Sequence, residues 1–473
     1  MAIVANEVAG GSFSGSTRHD MYFEDIEFGS YDKAEAMARK AYELYEEGNI
    51  MHALLEINAA IEINPANSAW HFNKALALDA VNRFNEAIEE YQTALELSPN
   101  DVEILNSLAV DYTRTGHYDL AISVFEHIQH LDPMFEPCYC NRIITYTEMG
   151  KHDLAEEMFY LAQQIDPDCP VCYYNIGNSL FVQGRYARAI GCWRRTAELE
   201  PTHPQINYRI AQAYWAAGDT EQAHQYFLAE IRQSPGAIDV ITDFGLFLIE
   251  TGHLDSAKEK FNRILELDPD SATALFYLGE IAYNHSEFSN AANLFNQALC
   301  KDPTLTGPRY RLAQCALAKD QNERARAHLI AELELDPDDA DALVSMGSMF
   351  LAINDFEYAM HCMLRAVAFD NASAEAYYYL GSISFAKEEY EDAAEFLGHV
   401  LDINPEHIWA LRDAALVYLA MGATSRAAEY IKKARTLAGD DSQFKWLDRR
   451  IRFHHTLHHL KALLTRRFLQ KPC

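Results

Sequence analysis

Four cysteines in one short stretch could do chemistry. Cys138 and Cys140 are spaced C-x-C, and Cys169 and Cys172 follow as C-x-x-C. If all four sulfurs converged they would form a tetrahedral zinc site, whereas a redox reading needs the C-x-x-C pair on a thioredoxin-like strand-helix-strand scaffold. No strand signal surrounds them. Residues two apart on a helix are separated by about 200° of rotation, so Cys138 and Cys140 are expected to point to opposite sides. The expectation is therefore plain buried or half-buried thiols and no metal. A regulatory disulfide is the third reading. Nine cysteines, an odd number scattered through 473 residues, do not read as a secreted disulfide framework, and reduced thiols are expected.

Other catalytic signatures are missing. Gly-rich phosphate loops, G-x-S-x-G and H-E-x-x-H do not occur. His454, His455, His458 and His459 make two i, i+4 pairs that could chelate a metal, but Asp448 is the one nearby carboxylate, and a polar, pH-sensitive helix face is the expected role. Neither an enzyme nor a cofactor is expected.

The elements that must position the cysteines announce themselves through a period. Pro65, Pro99, Pro133, Pro167, Pro201, Pro235, Pro269, Pro303, Pro337 and Pro405 stand on one 34-residue ladder that Asn371 alone interrupts. Proline lacks the N–H that a helix interior needs and is tolerated in a first turn, so the ladder marks helix ends, and Pro137, Pro170, Pro204 and Pro308 mark helix starts. Twelve alanines, from Ala53 to Ala427, keep the same beat, and a large apolar residue such as Tyr91, Phe125, Phe159 or Trp193 follows each by four. That spacing places both on one helical face. Twelve residues before each alanine lies a second, mostly small site, with Ile143 as the exception, and a turn residue falls between the two, glycine in seven of twelve units. Each unit is thus expected to be a pair of antiparallel helices. In this register Cys169 falls at a helix N-cap and Cys172 one turn in.

The chain at this point resembles the tetratricopeptide repeat family, over twelve consecutive units spanning residues 34 to 441. The resemblance implies an all-α fold, an α-solenoid wound as a right-handed superhelix, with first helices on the concave face and second helices on the convex one. It also implies that partners lie along the concave face, so residues carried onto its slots become candidates for peptide binding: Asn73, Asn141, Tyr174, Asn175, Asn178, Tyr208, Arg209, Gln212, Trp215, Tyr310 and Arg311. Amide side chains suit an extended peptide because each offers a donor and an acceptor. The lysine pattern by which some relatives clamp acidic chaperone tails is missing, since no unit has lysine in its second or fifth slot.

Charge sets further bounds. The net charge of -31 makes nucleic acid a poor partner for the body. Residues 442–473 nevertheless carry eight Lys and Arg against the single Asp448. This basic segment is expected to cap the last unit, with Trp446, Phe453, Leu457, Leu460, Leu464 and Phe468 as its apolar stripe. Its distal half could dock on an acidic groove, its own or a second copy's, or lie on an anionic membrane. Residues 1–33 read as an acidic, disordered segment without a basic leader, and no apolar run is long enough to span a bilayer. The expectation is a cytoplasmic, noncatalytic scaffold that binds an extended segment of a protein partner. The alternative is a membrane-peripheral adaptor recruited through the basic tail.

Overall fold

The computed structural model describes residues 30–439, 444–453 and 456. Its described secondary structure is all α-helical, and the helices pair in sequence order into twelve hairpins. The first begins at Ser30, four residues ahead of the expected boundary. The chain divides into two compact blocks, residues 1–247 and 248–473. Within each, helices adjacent in sequence pack on one another.

The hairpin follows from a few residues per unit. First helices open on a capping side chain in the last slot of the preceding unit: Asn67, Asp101, Ser271, Asp339 and Ser373 each accept from a backbone N–H of the first turn. Cys169 takes this place for the helix Pro170–Val182, its Sγ accepting from Cys172 N at 3.3 Å. Pro137, Pro170 and Pro308 lie in first turns as expected, while Pro204 precedes its helix, which starts at Ile206 after a left-handed Gln205.

The turn inside each hairpin is left-handed in all twelve units. Glycine takes it in seven, and Asn82, Ser286, Asp320, Asn354 and Glu388 take it in the others. Here a backbone N–H just past the turn returns to a carbonyl of the last helical turn, as from Arg185 N to Leu180 O at 2.9 Å, closing a Schellman motif.

The twelve alanines are fully buried, and the large apolar residue four on packs over the small site of the first helix, as Trp193 does at Gly177, Phe295 at Gly279, Met363 at Gly347 and Leu397 at Gly381. Unit 4 departs from this scheme. Ile143, where other units carry Ala or Gly, is fully buried and takes that space, and Phe159 is half-buried against the Tyr173 ring, 5.3 Å away.

Past the last hairpin, residues 444–453 form a helix that buries Phe444, Leu447 and Ile451 against Leu411, Ala415, Ala427, Ile431 and Ala434. The packed stripe differs from the one expected for this segment. Trp446 and Phe453 are exposed, because Asp448 sits on the inner face, where it accepts from Arg435 and Arg452 at 2.7 Å each. Leu457, Leu460, Leu464, Phe468 and the four histidines lie outside the described residues, as do nearly all of residues 1–33.

Candidate functional site

The candidate binding residues sit on first helices, and several are spent on holding consecutive units together. The fifth slot of one unit meets the sixth slot of the next. Asn141 donates to Asn106 Oδ1 at 3.0 Å, Asn175 donates to the Cys140 carbonyl at 3.2 Å, and Tyr208 donates to Asp243 Oδ2 at 2.7 Å. In the C-terminal block Tyr378 repeats the arrangement with Asp413 at 2.9 Å. Asn175 and Tyr208 are buried, and so is Asn73, whose Oδ1 has no hydrogen-bond partner among the described residues.

The half-buried remainder forms the accessible part. In unit 5 these are Tyr174 and Asn178, one turn apart; the Tyr174 ring lies 4.6 Å from that of His203. In unit 6 Arg209 donates to Gln212 Oε1 at 3.3 Å and lies over the Tyr208 ring, while Gln212 donates to Asp243 Oδ2 at 3.0 Å. Trp215, also half-buried, meets the Phe227 and Phe247 rings edge-on.

Unit 9 has its own cluster. Arg311 makes a two-pronged ion pair with Glu280, both contacts at 2.6 Å, donates to Gln314, and lies over the rings of Tyr283 and Tyr310. Its charge is thus largely met within the fold. The arginines of unit 5 are likewise engaged: Arg185 and Arg188 with Glu156, Arg195 with Asp168 and Glu198, and Arg194 with the hydroxyls of Tyr214 and Tyr226. Asp243 and Glu280 were missed as partners in the sequence. The signal was there: each lies about one repeat length from the donor it meets.

The cysteines correct the expectation of four separate reduced thiols. Cys140 and Cys172 are joined in a disulfide. Cys169 Sγ lies 3.7 Å from Cys140 Sγ, and Glu136 Oε1 lies 2.7 Å from Cys140 Sγ and 3.1 Å from Cys172 Sγ. Cys138 points the other way, as the rotation per residue requires, its thiol donating to Phe125 O at 3.3 Å. Burial pushes the Cys138 thiol up to about 12. Burial and then the Glu136 carboxylate do the same to Cys169, also to about 12.

With this geometry in view, the comparisons with known proteins are specific about the repeats. Models described as tetratricopeptide repeat or TPR repeat match residues 80–116, 138–169, 174–238, 282–346 and 384–447. The cilia and flagella-associated protein 70 middle TPR-like domain matches residues 208–307. The chain is a tetratricopeptide repeat protein. That membership supports a protein-interaction scaffold.

Among curated proteins, this tetratricopeptide repeat protein is 32% identical over 112 residues to the Protein CTR9 homolog of Arabidopsis thaliana, matching 24% of its own length and 10% of that protein. It is 47% identical over 58 residues to an uncharacterized protein of Methanocaldococcus jannaschii, matching 12% of its own length and 66% of that protein. The chain therefore spans about a tenth of one and somewhat under two thirds of the other. Among solved structures it is similar to yeast Tom70, at 14% identity over 94% of this chain and 100% of that one, with a TM-score of 0.38. The Cut9–Hcn1 APC/C hetero-tetramer is matched at 12% identity over 89% of this chain and 97% of that one, also with a TM-score of 0.38. No helix among the described residues is long and apolar enough to cross a membrane.

Proposed function

We propose that the protein binds an extended segment of a partner protein along the first helices of units 5 and 6, through Tyr174, Asn178, Arg209, Gln212 and Trp215. The observation that carries this reading is Asn178. It is half-buried on the first-helix face, yet its side-chain amide makes no hydrogen bond among the described residues. A peptide backbone offers the matching carbonyl and N–H.

Next to it, Asn141, Asn175 and Tyr208 serve as frame and hold the contact residues in register. Tyr310 and Arg311 form a second polar and aromatic patch in the C-terminal block. The test is selection of a displayed random-peptide library on the purified full chain, followed by affinity measurement of the enriched peptides. The triple variant Asn178→Ala, Arg209→Ala, Gln212→Ala is expected to bind them at least tenfold more weakly. Undiminished binding by that variant moves the site off units 5 and 6.

A further inference from the structure

The joint between units 4 and 5 holds a cluster of three sulfurs and one carboxylate. Glu136 and Cys140 lie four residues apart on the helix Glu136–Glu148, and Cys169 and Cys172 occupy the N-cap and first turn of the helix Pro170–Val182. The Sγ atoms and a carboxylate oxygen of these four residues all lie within 4.8 Å of one another. Two thiolates bound to one tetrahedral zinc at about 2.3 Å stand roughly 3.8 Å apart, close to the 3.7 Å between Cys140 and Cys169.

A disulfide between Cys140 and Cys172 uses two sulfurs and leaves the other two groups unexplained. Cys169 has no need to reach the pair in order to cap its helix. Glu136 Oε1, 2.7 Å from Cys140 Sγ, faces a disulfide sulfur that carries no hydrogen to donate. A cation shared by all four groups accounts for both.

We propose that, with its thiols reduced, this cluster binds one zinc ion through the sulfurs of Cys140, Cys169 and Cys172 and a carboxylate oxygen of Glu136. The donor set is soft and anionic, which suits zinc over magnesium or calcium. The N–H of Cys172 already points at Cys169 Sγ. Four ligands from two units make the ion a staple between consecutive hairpins, and binding to the folded chain alone adds to its stability.

The full chain is kept in a phosphine reductant, loaded with zinc or cobalt, freed of excess metal and assayed. Cys169→Ser is the informative variant, because a serine hydroxyl keeps the N-cap while removing a thiolate. Reduced wild type is expected to hold one more zinc per chain than Cys169→Ser, a difference that cancels metal on the histidines. It should show thiolate-to-cobalt charge-transfer absorption and melt at higher temperature with zinc. Cys138→Ser keeps all three properties and Glu136→Gln weakens retention. Equal zinc in wild type and Cys169→Ser, no charge-transfer band in reduced protein, or reoxidation to the disulfide in the presence of zinc would each overturn the proposal.

Discussion

A Cβ added to Gly177 would stand 2.5 Å from Nε1 of Trp193, inside the ring that closes the hairpin of unit 5. The same geometry joins Gly279 to Phe295, also at 2.5 Å. A small residue on the first helix and a large one sixteen residues on are therefore two halves of one packing decision. Gly177→Ala is expected to cost about 1–3 kcal/mol through overpacking. Adding Trp193→Leu should recover part of that loss, and melting of the two single variants and the double variant measures it. Strict additivity would mean that the two side chains do not share this space.

The left-handed turn position offers a change in the opposite direction. Glu388 holds φ 63° where seven other units use glycine, and a non-glycine residue in that conformation costs about 1–2 kcal/mol. Glu388→Gly is expected to stabilise the chain by about 1 kcal/mol, and Asn82→Gly by less because asparagine tolerates the conformation. A lower melting temperature for Glu388→Gly would contradict this.

Stability should also depend on pH through one buried carboxyl. Burial and then the Asp79 carboxylate push Asp111 up to about 8, against the opposing pull of Arg114, which contacts both. Its pKa in the unfolded chain is about 4. Between these values the folded state keeps a proton that the unfolded state has lost, so stability falls as pH rises through the window. Asp111→Asn should flatten the decline in melting temperature from about pH 5 to pH 7.5. An unchanged slope would show that another group is responsible.

The C-terminal cap is testable by truncation and by point change. A chain ended after residue 439 would expose Leu411 and Ile431 of the last hairpin, now covered by Phe444, Leu447 and Ile451. It should self-associate, as light scattering would show, while Ile451→Ala in the full chain costs about 2–4 kcal/mol. A monodisperse truncated chain of full stability would remove the capping role.

The hairpins were legible because proline, alanine and glycine act alone: each forces its backbone or packing result whatever its neighbours are. Even the left-handed state of Glu388 follows from register, though nothing in its chemistry advertises it. The candidate site was harder to read. Asn175 and Tyr208 each look like a free groove residue when its own helix is read alone, and their burial depends on partners 35 residues away. The tail stripe was misplaced because Asp448 interrupts the true one, and a charge is hidden there only because Arg435 and Arg452 neutralise it. Glu136 drew no notice beside Pro137, since its significance lies in three sulfurs from other turns.

The locks between fifth and sixth slots differ in chemistry from joint to joint: amide to amide at Asn106 and Asn141, amide to carbonyl at Asn175, phenol to carboxylate at Tyr208 and Tyr378. Near-identical hairpins strung on one chain risk docking out of order as they fold. Fasteners of unlike kind make most wrong neighbours leave a polar group stranded, so the chain carries its own assembly instructions, and transplanting a hairpin to another address should cost more than its shape alone would suggest.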